Sequence, residues 1–269
     1  MSKVLLMLLV LAAGLSSVSA EERVWDMKDS AYWRRKLVVP VEDITPAKME
    51  KTAQEFLRLA GVRRIVVLSV FVSRGVAAEQ GAPRSNYKQW KGYYDSLPKH
   101  ARVSAHMIAI SGDAVLWVRD VEGRITRRVL KGRDPTKFSV DGTAFEILYV
   151  AGRVMTKFER CATPGAIEPV FYVITPAELT EELCTRAGRW LARKLEAKHL
   201  AVRFRNDQWF VPGSSFPVAY PFAPTEAPPT EAEYHRSVSY YCGIFRGKPL
   251  DCRQTMGLAL TPRRPVRER

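Results

Sequence analysis

The sequence contains few of the residues from which recognisable metal and catalytic sites are built. Among 269 residues there are four histidines and four cysteines, no two cysteines have C-x-x-C spacing, and no Gly-x-Ser-x-Gly elbow occurs. Zinc sites and α/β-hydrolases are recognised in sequence by such short motifs. We therefore predict no metal site and no cofactor.

Long hydrophobic runs are also scarce. The run Val4–Leu15 follows Lys3, and Val18–Ala20 offers the small residues that a signal peptidase recognises. A transmembrane helix needs about 20 apolar residues, whereas charged residues begin at Glu21. We expect a signal peptide over residues 1–20 and an exported, soluble, periplasmic or extracellular protein without a later transmembrane segment.

Negative charge is in deficit. The chain has 42 Lys and Arg against 28 Asp and Glu, which gives a net charge of +14. A chain so basic is attracted to anionic surfaces. For an exported protein these surfaces are envelope components, such as phospholipid headgroups or wall polymers. We expect an anionic envelope component or an amphiphilic small molecule as partner, and not nucleic acid.

The four cysteines favour disulfides, because exported proteins fold in an oxidising compartment. Two glycines and a proline lie between Cys242 and Cys252 and permit a tight reversal. Pairing Cys161 with Cys184 would then tie the end of a strand to the following helix. Four cysteines allow three pairings, and a catalytic role for Cys161 is the alternative.

Hydrophobic periodicity predicts strands through the middle of the chain. Thr45 and Pro46 suit a helix start, Gly61 suits its end, and a strand follows over 63–72. Short turns separate the later segments, so their strands must run antiparallel. The predicted strands cover 103–110, 115–119, 124–130, 145–150, 154–158, 170–174, 200–204 and 238–245; a short helix is predicted from Tyr87, Trp90, Tyr94 and Leu97.

The clearest helical pattern begins after residue 174. Thr175 and Glu178 have the spacing of a capping box. Packing on a sheet explains the apolar stripe, and the helix dipole explains basic residues near the C-terminal end. The stripe comprises Leu179, Leu183, Ala187, Trp190, Leu191 and Leu195, and the basic residues are Arg189, Arg193, Lys194 and Lys198.

These patterns predict an α+β fold, in which an antiparallel meander carries one long amphipathic helix and one or two shorter helices. The main domain spans 21–211. A Pro-rich extended segment occupies 212–236, because proline lacks a backbone donor. A C-terminal strand or hairpin over 237–260 packs on the same domain, and 261–269 form a disordered basic tail.

One tetrapeptide occurs twice. Ile-Thr-Pro-Ala stands at 44–47 and again at 174–177, each time before a predicted helix and strand. A duplicated αβ unit would explain the repeat. Because Thr-Pro is an ordinary helix start, coincidence explains it as well.

The basic segment 119–133 supplies the candidate binding residues. Side chains alternate across a strand, so Arg124 and Arg128 share one face and Arg127 takes the other. Guanidinium groups on one face can bind a phosphate or carboxylate, although a solvated sheet face is the alternative. Tyr87 and Trp90, in the longest connection, could cover a ligand or pack against the sheet.

Two function classes follow. The first is a non-catalytic binding or envelope-associated protein that meets its anionic or amphiphilic partner through these residues. The second is an extracytoplasmic hydrolase with a His and acid site around His106 or His100, near Ser111 and Asp113. The absence of a catalytic motif favours the first.

Overall fold

The structure is a computed structural model that describes residues 22–72, 98, 100, 103–155, 166–197, 199–205, 238–245 and 248–256. Within these residues the chain forms two six-stranded sheets and two α-helices. The first sheet contains β1 (Glu22–Lys28), β2 (Tyr32–Val38), β3 (Ile65–Phe71), β4 (Ser104–Ile110), β5 (Asp113–Arg119) and β6 (Ile125–Lys131). The second contains β7 (Lys137–Val140), β8 (Thr143–Val154), β9 (Ile167–Ile174), β10 (His199–Arg205), β11 (Val238–Phe245) and β12 (Lys248–Met256). The helices are α1 (Pro46–Ala60) and α2 (Glu181–Lys194).

Both sheets keep their strands in chain order and contain one parallel pair. In the first sheet, α1 connects β2 to its parallel neighbour β3. In the second, α2 connects β9 to its parallel neighbour β10. All other neighbours in the two sheets are antiparallel. A parallel pair needs a crossover connection, and a helix supplies it in each sheet.

The layers are helix, sheet, sheet and helix. Along β3, Ile65 and Val67 join the core between the sheets, whereas Val66, Leu68 and Val70 face α1. A strand buried on both faces reads as a continuous apolar run rather than an alternating one. That is why residues 65–71 are apolar almost throughout.

The two sheets cross at a steep angle. Near its start, β8 contacts β6 through Glu146, which accepts a hydrogen bond from Arg127. Farther along, Tyr149 stacks on His106 of β4, and Gly152 lies against β1 and β2. Strand β8 therefore runs across the strands of the first sheet, as in orthogonal sheet packing.

Each helix begins at a threonine cap. Thr45 Oγ1 accepts a hydrogen bond from Lys48 N at 3.4 Å, as the sequence predicts for α1. Thr180 Oγ1 accepts one from Leu183 N at 3.2 Å and starts α2. The predicted cap at Thr175 is wrong, because its hydroxyl instead donates to Ala144 O at 2.8 Å.

The predicted fold class is also wrong. The described chain is mostly β-structure in two mixed sheets, with a helix on each, and is not a meander carrying one long helix. The prediction failed first at β1 and β2, which were interpreted as a polar lead. Arg34, Arg35 and Lys36 interrupt the apolar pattern of β2, yet all three cations lie over aromatic rings such as Trp25 and Trp33.

Two smaller corrections concern the second sheet. The predicted hairpin at Ala151 and Gly152 does not exist, because β8 continues unbroken to Val154. Strand β7 was not predicted. Helix α1 and strands β3 to β6 are confirmed within a few residues.

Several predictions fall outside the described residues. These are the signal peptide over 1–20, the helix around Tyr87 and Trp90, the Pro-rich segment 212–236 and the tail 261–269. Across the ranges that the structure covers, neither helix has the length and apolar character needed to cross a bilayer.

Candidate functional site

A basic cleft lies between α2 and the β7–β8 hairpin. The cleft, called the α2 cleft below, has a volume of about 450 Å³. It is lined by Ser139, Val140, Asp141, Arg186, Arg189, Trp190 and Arg193. Residues three, four and seven positions apart share one face of a helix. The three arginines therefore project from a single face, over about 10 Å of helix axis.

The packing of α2 determines which face points outward. Leu183, Ala187 and Leu191 are buried against the second sheet. At Gly188 an added methyl carbon would lie only 3.3 Å from Ile244 of β11, so the helix backbone lies close to the sheet. The opposite face, which carries the arginines, is left exposed.

An aromatic stack fixes one wall of the α2 cleft. The Trp190 ring lies 4.8 Å from the Phe138 ring, with only 7° between their planes, and Phe138 stacks on Phe145 at 5.1 Å. Lys194 Nζ lies 5.0 Å from the centre of the Trp190 ring. Because Phe138 and Phe145 are buried, the half-exposed Trp190 is held in place by the core.

Positive charge in the α2 cleft is only partly balanced. Arg186 Nη1 lies 3.2 Å from Asp141 Oδ2 and 3.7 Å from Glu182 Oε1. Within the described residues no carboxylate forms an ion pair with Arg189 or Arg193. Two exposed guanidinium groups thus remain available beside the aromatic wall.

This arrangement suits the binding of an anion. A guanidinium group presents paired N–H donors that match the oxygens of a carboxylate, phosphate or sulfate. Arg189 and Arg193 can contact such oxygens from adjacent turns of the helix, and the edge of Trp190 offers apolar surface beside them. The lining contains a single hydroxyl, that of Ser139, and no histidine or cysteine.

The arginines predicted from sequence lie elsewhere and have acidic partners. Arg124 contacts Asp120 and Glu122 in its own turn, at 2.9 and 3.0 Å. These carboxylates raise the pKa of Arg124, and its hydrogen bonds contribute to lowering the pKa of Asp120. Arg128 pairs with Glu50 of α1.

Arg127 links the two sheets. It donates to Glu146 at 2.7 Å and to Thr136 at 2.8 Å, and it also pairs with Asp134. Its guanidinium carbon lies 5.1 Å from the centre of the Trp117 ring. A binding role for Arg124, Arg127 and Arg128 stays a prediction, and their acidic partners weaken it. Tyr87 and Trp90 lie outside the described residues.

His106 lies inside the sandwich. Its Nδ1 is 2.9 Å from Ser69 Oγ, its ring stacks on Tyr149 at 5.3 Å, and only 1% of the residue is exposed. Burial, and then the positive charge of Arg34, hold the pKa of His106 well below its usual value. A neutral, enclosed histidine is well placed for packing and cannot meet a substrate from solvent. Its contact is with Ser69 and not with the predicted Ser111.

Three of the four cysteines belong to α2, β11 and β12. Cys184 and Cys242 are buried, and the backbone register places Cys242 opposite Cys252. Among the described side chains no disulfide is seen, while Cys161 lies outside the described residues. The disulfides therefore stay a prediction.

The α2 cleft was missed in the sequence because each of its residues already had an explanation. Arg189 and Arg193 were attributed to the helix dipole, and Trp190 to the apolar stripe. The informative signal was their combination. Arg186, Arg189 and Arg193 surround a tryptophan on one helical face, whereas dipole compensation requires cations only in the last turn.

No metal-binding group of three His, Cys, Asp or Glu side chains is present within the described ranges. Comparison with protein-family models, with curated proteins and with solved structures gave no match. The α2 cleft is therefore interpreted from its own geometry alone.

Proposed function

We propose that this chain is an exported, non-catalytic binding protein that holds an anionic ligand in the α2 cleft. The observation that carries the proposal is the pair of exposed guanidinium groups, Arg189 and Arg193, beside the fixed Trp190 ring. The net charge of +14 supports it, because long-range attraction brings anions towards the surface.

The ligand class follows from the lining. Guanidinium groups select phosphate, sulfate or carboxylate oxygens, and the tryptophan edge favours a ligand that also carries apolar or ring surface. An anionic amphiphile or a charged envelope polymer has both features. Export agrees with the signal-peptide pattern of residues 1–20.

The hydrolase alternative has no observation in its favour. Ser69 and His106 are 2% and 1% exposed, so neither side chain can reach a substrate without opening the core. Asp113, proposed earlier as the acid, accepts a hydrogen bond from Arg133 N instead.

The binding test compares two double variants that lose the same charge. Arg189→Gln with Arg193→Gln removes the two available cations of the α2 cleft. Lys51→Gln with Arg58→Gln removes two exposed cations from α1, also seven positions apart. Calorimetric titration uses tripolyphosphate and phosphatidylglycerol vesicles as probes, with phosphatidylcholine vesicles as the neutral reference.

We expect the cleft variant to bind at least about tenfold more weakly, because each anion contact contributes about 1 kcal/mol net. The α1 variant should bind within about twofold of the wild type, since it changes only the overall charge. Equal losses in the two variants would show that net charge, and not the α2 cleft, holds the anion. A loss confined to Arg124→Glu with Arg128→Glu would instead move the site to β6.

Export and disulfides are tested by an intact mass of the protein recovered without reductant. A mass that begins at Glu21 supports the signal peptide, and a mass lower by two hydrogens per bridge counts the disulfides. A chain that retains residues 1–20 would contradict export by this route.

A further inference from the structure

The turn between β7 and β8 places an acid inside the α2 cleft. Val140 pairs with Thr143, so Asp141 and Gly142 form a two-residue hairpin loop. Both residues have positive φ, at 50° and 81°. Two-residue loops of this kind strongly favour Asn-Gly, Asp-Gly or Gly-Gly. The turn therefore does not require a carboxylate at position 141, since an amide would serve equally.

The carboxylate is directed at the first arginine of the α2 cleft. Asp141 Oδ2 lies 3.2 Å from Arg186 Nη1, and the two side chains are 58% and 48% exposed. Glu182 faces the same guanidinium from one turn of α2 earlier, at 3.7 Å. Ion pairs this exposed are weak and readily exchanged.

We propose that Asp141 acts as an internal competitor for the α2 cleft and sets its selectivity for multiply charged anions, an inference that rests on the proposed function. A ligand with one anionic group is held by Arg189 and Arg193 alone. A ligand with further anionic groups gains Arg186 as well, by displacing the Asp141 carboxylate. Asp141 thus selects ligands whose charge extends along the helix.

The test uses Asp141→Asn, which keeps the favoured turn sequence and removes the competing charge. Its matched control is Glu55→Gln, which removes one exposed acid from α1. Phosphate, pyrophosphate and tripolyphosphate provide a series of probes of increasing charge. Affinities are measured by calorimetric titration of the full chain, and the melting temperature of each variant verifies that the fold is intact.

We expect Asp141→Asn to bind tripolyphosphate about three- to fivefold more tightly than the wild type, which is the gain from releasing one exposed ion pair. The gain should shrink along the series and be smallest for phosphate. Glu55→Gln should leave all three affinities within about 1.5-fold, because it lies on the other helix.

The outcomes separate the two proposals. A wild type that binds none of the probes, with Asp141→Asn equally inactive, overturns the proposed function. A wild type that binds while Asp141→Asn binds no better overturns only the competitor role. An equal gain in Glu55→Gln, or the same gain for all three anions, also overturns it, because either result reports general charge and not displacement at Arg186.

Discussion

At the scale of single residues, the interior between the sheets is unusually polar. Arg34, Lys36 and His106 are all less than 9% exposed, and each contacts aromatic rings or polar groups there. Aromatic faces stabilise such cations when water is excluded. A neutral histidine in this setting adds no further positive charge, which is the condition under which the cations can remain.

The protonation of His106 should make the fold sensitive to acid. Its pKa in the folded protein lies well below 6.5, whereas the unfolded chain titrates near 6.5. Below that pH the unfolded state binds more protons than the folded state, so stability is full above about pH 6.5 and falls as the pH falls. The expected loss is at most about 1.4 kcal/mol per pH unit.

Urea unfolding at pH 7.5, 6.0 and 5.0 measures this dependence. His106→Gln should flatten the curve below pH 6.5, and His100→Gln, which changes an exposed residue, should leave it unchanged. If His106→Gln retained the wild-type slope, acid sensitivity would have to arise from other groups.

At the scale of secondary-structure elements, sequence patterns succeeded where one physical effect dominates. Strands β3 to β6 show apolar runs or turn residues, and α1 has both its threonine cap and its glycine end. They failed where side chains serve two purposes. The cations of β2 hid a strand, and Gly152, which resembled a turn residue, is required by the close approach of the other sheet.

The site was harder to predict than these elements. An arginine pattern on a helix does not show which cations have acidic partners, because those partners come from distant segments. Glu50 pairs with Arg128 across 78 positions, and only the fold brings them together. Arg189 and Arg193 are distinguished from Arg124 by the same tertiary information.

The contact between α2 and β11 gives a prediction at this scale. Gly188→Val should lower the free energy of unfolding by about 2 kcal/mol, because the new side chain would meet Ile244 carbons already 3.3 and 3.4 Å from the first added carbon. Chemical unfolding of Gly188→Val, Ile244→Ala and the double variant measures the coupling. The double variant should lose about 1 kcal/mol less than the sum of the single losses. Additive losses would contradict a direct clash.

At the scale of the whole molecule, the repeated Ile-Thr-Pro-Ala marks the same topological position twice. The first copy leads from β2 towards α1, and the second leads from the end of β9 towards α2, each within a crossover between parallel strands. The threonines nevertheless differ, since Thr45 caps its helix and Thr175 bonds to β8. The shared topology is therefore the stronger likeness between the halves.

The halves are not independent, because one core joins both sheets. That core includes Val67 and Trp117 from the first sheet together with Tyr149 and Leu200 from the second. At Gly152, an added methyl carbon would lie 2.5 Å from the Met27 sulfur and 2.9 Å from the Tyr32 ring. Separating the sheets would expose this whole apolar surface, which is the dominant favourable contribution to folding.

We therefore expect both sheets to unfold in one transition, and Gly152→Val to shift that transition as a unit by about 3 kcal/mol. Fluorine NMR of protein labelled with 5-fluorotryptophan provides a separate probe on each side, Trp117 in β5 and Trp190 on α2. The two native signals should disappear at the same urea concentration, both in the wild type and, at a lower concentration, in Gly152→Val. Loss of one signal before the other would show that each helix-covered sheet folds on its own, and that the core between them contributes little to stability.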